Sequence, residues 1–234
     1  FTVKEGCEMK TMWKTLGLLL ICGQAVAVDL GSLTKGEMAG GLKETLTKSA
    51  VAAVGNLGRE NGFLNNEKVK IPLPDSLARV EGVIRTFGMG KQADELVVAM
   101  NRAAEMAVPE AKKLLIDAVN KMSIQDAQAI ISGGDDAATA YFRKSTESAL
   151  GVKFLPVVKK STQKVGLAQR YNDFAGKAAK YGLVDEKQAN IEQYVTQKTL
   201  DGLYASIAEE ERAIRKDPVG SGSKLSGKIF GYGR

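Results

Sequence analysis

Between Thr34 and Lys216 the apolar positions of the chain recur every three or four residues, the period of a helix with one buried face. The first predicted helix runs from Thr34 to Gly58. A Thr34/Glu37 capping box opens it, and Met38, Leu42, Leu46, Ala50, Ala53 and Leu57 form its stripe. A second starts at Pro74 or Asp75, with Leu77, Val80, Ile84 and Phe87 inward, and stops at Gly88. A third spans Lys91 to Ala107 around Leu96, Met100 and Ala103. Pro109 restarts the pattern for a fourth carrying Leu114, Leu115, Ala118 and Met122, and Ser123 with Asp126 caps a short fifth. The next begins at Asp135 or Asp136 and is expected to end at Gly151, after which Pro156 opens another that presents Val158, Thr162 and Val165. Two more cover Ala168 to Tyr181 and Lys187 to Lys216, where Asp217-Pro218 ends the pattern. No run alternates long enough to build a sheet. The expected fold is all-α, a single multi-helix domain of about eight or nine helices over residues 28–218.

One segment breaks the period. Residues 62–77, GFLNNEKVKIPLPDSL, form an extended apolar stretch bracketed by Pro72 and Pro74. The prolines forbid a central strand, and no other strand exists for the segment to join. Phe63, Leu64, Ile71, Pro72 and Pro74 are therefore expected to anchor a loop laid as a clamp across the helices. Asn65 or Asn66 would turn the chain and Asp75 would cap the second helix. A loop this long also suits a lid over an interhelical pocket.

The pattern changes again at the N-terminal side. Lys10 and Lys14 flank the start of a short apolar run, Leu16 to Cys22, and Ala25-Val26-Ala27 supplies a small-x-small cleavage pattern. The run falls short of the roughly 20 residues that span a bilayer as a helix. The expectation is a signal peptide over residues 9–27, preceded by an upstream extension at 1–8. Cleavage near Ala27 would leave a periplasmic or secreted product without a transmembrane segment. Ile21 before Cys22 argues against lipid attachment, and no Arg-Arg pair precedes the run. Residues 219–234 are rich in Gly and Ser and read as a flexible tail, within which Leu225, Ile229 and Phe230 offer docking side chains.

Composition narrows the chemistry. The chain has 234 residues, a net charge of +6 at pH 7 and no histidine, and both cysteines, Cys7 and Cys22, precede the expected cleavage site. A Ser-His-Asp triad, a Cys-His dyad and zinc sites built on imidazole or thiolate are thereby excluded. Carboxylates, Lys or Tyr bases and oxygen-ligand metals remain, but no cofactor is expected. The basic residues are scattered among acids without an aromatic-basic motif, so nucleic acid is not an expected partner. The mild positive charge suits weak contact with an anionic membrane surface.

Several local motifs have plain structural readings. Gly88-Met89-Gly90-Lys91 resembles part of a phosphate loop but comes after a helix, and it reads as a C-cap and a new helix start. Asp135-Asp136 reads as helix capping, and Glu209-Glu210-Glu211 with Arg212 and Arg215 as a solvated helix surface. VPEAKK (108–113) and LPVVKK (155–160) share a proline at a helix start and a Lys pair. The candidate ligand-binding residues are Tyr141 with Arg143 and Arg170 with Tyr171, since an arginine fork suits carboxylate or phosphate. Their plain reading is aromatic core with the arginines paired to Asp135, Asp173 or Glu147. No catalytic residue is assigned.

GFLNN, KIPLP, NRAAEMAVPEA, DDAATAYFR, KFLP, YND, YVTQKTLDGLY and IAEEERAIRKDPV occur in order from about Leu33 to Val219. Together they resemble a bacterial exported family catalogued as domain of unknown function 4197. The resemblance implies an all-helical exported protein and carries no activity, cofactor or catalytic residue; the Gly/Ser-rich tail departs from the family's more helix-like ending. Three functions are compatible with these features. The first is a non-enzymatic periplasmic binding or scaffold module for an envelope protein or component. The second is a carrier of an amphipathic or lipid-like ligand held between helices, which needs a deep apolar cavity near Met100, Leu114 and Phe142. The third is a carboxylate-dependent hydrolase, which needs paired acids facing a cleft.

Overall fold

A computed structural model describes residues 34–183, 185, 188–218 and 229–230. The expected signal sequence and Leu225 lie outside the described residues. The helices are α1 (Lys35–Leu57), α2 (Asp75–Ala78), α3 (Glu81–Thr86), α4 (Gly90–Ala107), α5 (Ala111–Lys121), α6 (Ile124–Ile131), α7 (Ala137–Thr162), α8 (Gly166–Ala179) and α9 (Ile191–Lys216). A 3-10 turn, Val108–Glu110, links α4 to α5, and the described residues contain no strand. The fold is all-α.

α7 and α9 form the spine. Phe142, Thr146, Leu150, Phe154, Val158 and Thr162 are all buried, one every fourth residue, and so are Ile191, Val195, Thr199, Leu203, Ile207 and Glu211 of α9. Such rows are the ridges by which helices interlock. The pair is antiparallel: Glu211 near the end of α9 bonds the start of α7, and Glu192 in the first turn of α9 meets Thr162 at the end of α7. α4 packs on α7, while α1 lies against α5, α6 and α9. Each fully buried Leu or Phe in this shared core contributes roughly 1.5–3 kcal/mol relative to an exposed one.

The spine corrects two expectations. Gly151 does not end a helix and Pro156 does not start one, because α7 passes through both for 26 residues. The buried row continues across them, and Pro156 and Val152 are both exposed, so the missing N–H bond falls where water is at hand. The two proline repeats therefore differ, Pro109 lying in the 3-10 turn and Pro156 within α7.

Residues 75–87 are corrected as well. They form two short helices separated at Arg79–Val80, which shifts the helical phase. Leu77 and Ile84 stay buried, but Val80 and Phe87 face solvent. Gly88, with φ +77°, closes α3, and α4 starts at Gly90. Asp75 is the first residue of α2 instead of its cap; it exchanges hydrogen bonds with the Gln188 side chain. α8 and α9 begin at Gly166 and Ile191, the second capped by the Asn190 side chain on the Gln193 N–H.

Candidate functional site

The loop of residues 58–74 is held by α4. Glu105 is buried, and its Oε1 accepts from the backbone N–H groups of Phe63 and Leu64 at 3.0 and 3.1 Å. Its Oε2 pairs with Arg102 at 2.6 Å, and Arg102 reaches on to Glu60 and Asn61. Burial works to raise the Glu105 carboxyl, but the N–H bond from Leu64, the Arg102 pair and the Phe63 N–H outweigh it and hold the group below its ordinary value. One turn earlier Asn101 is fully buried and pairs with both backbone groups of Ile71. Tyr194 of α9 donates to the Pro72 carbonyl at 3.2 Å.

Side chains complete the attachment. Phe63 and Ile71 are fully buried, Pro74 is buried, Leu64 is half-buried and Pro72 is exposed. Phe63 lies on Gly202 of α9, where a Cβ would stand 2.7 Å from its ring, so a larger residue there would force the ring or the helix to shift. Gly62 is equally constrained, since a Cβ there would stand 2.3 Å from the Leu57 carbonyl oxygen. Asn66 makes the local turn, accepting the Lys68 N–H on its side chain and those of Val69 and Lys70 on its carbonyl.

What this loop shapes is a polar basin of about 540 Å³ between itself and the C-terminal half of α9. Arg59, Asn61, Asn65 and Asn66 form the loop side, and Ser206, Glu209 and Glu210 the helix side, with Asn56 of α1 between. A Lys68–Glu209 ion pair at 2.7 Å joins the two sides. Asn61 and Asn66 are engaged by Arg102 and Lys68, whereas Asn56, Arg59, Asn65, Ser206 and Glu210 make no side-chain hydrogen bond among the described residues. The free groups comprise two amides, a guanidinium, a hydroxyl and a carboxylate, a set that donates and accepts along an extended polar chain. Sequence reasoning missed this site, because its members lie some 150 residues apart. Three acids, Glu67, Glu209 and Glu210, line this basin, and Glu209 is neutralised by its pair with Lys68.

The expected aromatic-arginine pairs do not meet at one ligand site. Tyr141 donates to the Ala118 carbonyl. Arg143 stacks over Tyr204 at 4.6 Å and pairs with Glu147 and Asp201. Tyr171 is buried, donates to the Gln188 carbonyl and accepts from Ser76. Next to it Asn172 accepts the Ile191 N–H and donates to Glu192, so this part of the YND string braces the start of α9. Arg170 alone of the four is exposed.

The acidic motifs also rearrange. Glu211 is buried, not solvated, and its carboxylate accepts from the Ala138 and Thr139 N–H groups at 2.9 and 2.8 Å while Arg215 pairs with it. It caps α7 from another helix. Asp136 occupies the N-cap position without a side-chain cap bond and pairs with Arg212 instead. At the far end of the chain Ile229 is buried and Phe230 lies under Arg215 at 4.8 Å.

A second depression, about 380 Å³ and largely apolar, runs between α7 and α9 beside Val152, Leu155 and Leu200. Thr196 lines it, and its hydroxyl is the buried side-chain polar atom without a partner among the described residues. Met100 and Phe142 are fully buried and Leu114 is half-buried; they line none of these depressions. No described helix is long and apolar enough to cross a membrane.

These features define, among the described residues, an all-helical fold whose loop of residues 58–74 is clamped to its core and frames a polar basin. The chain belongs to the family described as "Protein of unknown function (DUF4197)", whose model matches residues 32–231. No curated protein and no solved structure matches it.

Proposed function

We propose that this protein is a non-enzymatic binding module of the bacterial envelope, and that its polar basin holds an extended peptide segment of a partner protein. The observation that supports it is the contrast within one loop. Its backbone is fixed by Asn101, Glu105 and Tyr194, while its Arg59 and Asn65 side chains, beside Asn56 of α1, make no hydrogen bond among the described residues. Preorganised polar groups bind without a large ordering cost. Asn101 and Ile71 already pair an asparagine amide with a peptide's N–H and C=O inside the molecule. A second reading, an amphipathic ligand, is favoured at the α7–α9 depression, where the Thr196 hydroxyl would receive its polar group.

Native mass spectrometry of the protein isolated from its own envelope tests both. The expected result is a stoichiometric polypeptide adduct that an Asn56→Ala/Asn65→Ala/Glu210→Ala variant loses while keeping its fold by circular dichroism. A lipid adduct lost on Thr196→Val would transfer the function to the second depression. An adduct unaffected by the triple variant, or an apo monomer throughout, would sink the basin.

A further inference from the structure

We infer that the outer edge of α8 docks on an anionic lipid surface. Large apolar side chains scattered singly over a surface are ordinary; a basic and aromatic stripe is not. Arg170, Phe174, Lys177 and Tyr181 succeed one another at spacings of four, three and four residues, so they share one side of the helix and its closing turn. Phe174 is 72% exposed and Tyr181 81%, and Leu183 beyond them is 78% exposed. A different face of α8, roughly a third of a turn away, is where Ala168, Tyr171, Ala175 and Ala178 enter the core. The stripe is thus additional to what the fold needs.

Charge selects the occupant. Arg170, Lys177 and Lys180 make no ion pair among the described residues; Asp173 is the single acid on α8, and Glu95 of α4 lines the small cleft that Arg170 also lines, so the stripe keeps a net positive charge. A second apolar row, Val80, Val83 and Phe87, is exposed on the α2–α3 segment, with Phe87 at 76%. Met89 and Arg170 line one small cleft, which brings the Phe87 turn beside the first turns of α8. Aromatic rings at the acyl boundary with basic groups extended to the headgroups are the signature of a helix lying in a membrane interface. A protein partner would more often present a closed apolar core with charges at its rim; here the cations alternate with the rings along the stripe itself. The contact is separate from the polar basin and does not depend on it.

A local reporter tests this, because the apolar leader could partition by its own hydrophobicity. Trp13 is the chain's single tryptophan. In the full chain carrying Trp13→Phe, Phe174→Trp reads out the stripe alone, and Tyr181→Trp provides a second position. With phosphatidylglycerol vesicles the emission should shift to the blue and be quenched by brominated acyl chains, and phosphatidylcholine vesicles should give neither effect. Each of Arg170→Gln, Lys177→Gln and Lys180→Gln should lower partitioning roughly fivefold. Unchanged emission at both positions would overturn the inference. So would equal response to both vesicle types, or a blue shift that tracks protein concentration without vesicles, which would mark contact between copies of the chain.

Discussion

The side-chain amide of Asn101 pairs with both backbone polar groups of Ile71, accepting its N–H at 2.8 Å and donating to its carbonyl at 2.9 Å. It thereby does for one extended residue what a neighbouring strand would do, in a molecule whose described residues contain no strand. Asn101→Leu leaves both groups of Ile71 buried without partners and should cost about 2–4 kcal/mol of stability. Urea unfolding checks this, with the midpoint falling at unchanged slope.

Phe63 and Gly202 are a matched pair. In an ordinary helix Gly→Ala gains up to about 1 kcal/mol, but a Cβ at 202 would stand 2.7 Å from the Phe63 ring. Gly202→Ala should instead destabilise by about 1–3 kcal/mol through overpacking. Adding Phe63→Leu should recover part of that loss, and a double-mutant cycle measures the coupling.

Glu105 makes stability depend on acid. Its hydrogen bonds hold the carboxyl below its unfolded value of about 4.3. Its contribution is therefore complete above that value and is lost as pH falls through the lower, folded one. Glu105→Gln should cost about 1–3 kcal/mol at pH 7 and flatten the acid limb of a stability–pH profile. An unchanged acid limb would remove Glu105 from this role.

Tyr194 and Tyr204 should ionise late. Burial, above all, pushes both phenols up to about 12, with Asp75 adding to the effect at Tyr194 and the Thr146 hydrogen bond opposing it at Tyr204. A raised folded pKa means the neutral form carries the stability, fully present below about pH 10 and lost as pH rises toward 12. Alkaline absorbance titration of the six tyrosines should show a late fraction. Tyr204→Phe and Tyr194→Phe should each reduce it.

Glu211 caps α7 from α9, so Glu211→Ala should cost about 2–4 kcal/mol, leaving two N–H groups unpaired and Arg215 without its carboxylate. Asp136→Ala, which loses only an exposed pair with Arg212, should cost under about 1 kcal/mol. Thermal unfolding of the two variants separates them.

Helical period, capping boxes at Thr34 and Ser123 and the proline-bracketed loop are all legible in the sequence, because each arises from interactions within a few residues. The same local rules misread Gly151 and Pro156. Punctuation residues mark a helix end by propensity, whereas α7 is kept whole by a buried row that α9 covers from about 50 residues away. Periodicity places Phe87 inside for a similar reason, since it assumes a constant phase that the turn at Arg79–Val80 changes.

The sequence by itself determined that this chain would be helical, without histidine and with its two cysteines at positions 7 and 22, and would carry a loop rich in proline and asparagine after its first helix. Tertiary structure decided what the polar residues do. A buried carboxylate or amide is stable only where donors from distant segments converge on it. So Glu105, Asn101, Glu192 and Glu211, which look in sequence like ordinary helix polar positions, became the ties between elements. The basin that Asn65 and Glu210 share exists for the same reason, created by a loop and a helix that meet only in the folded chain.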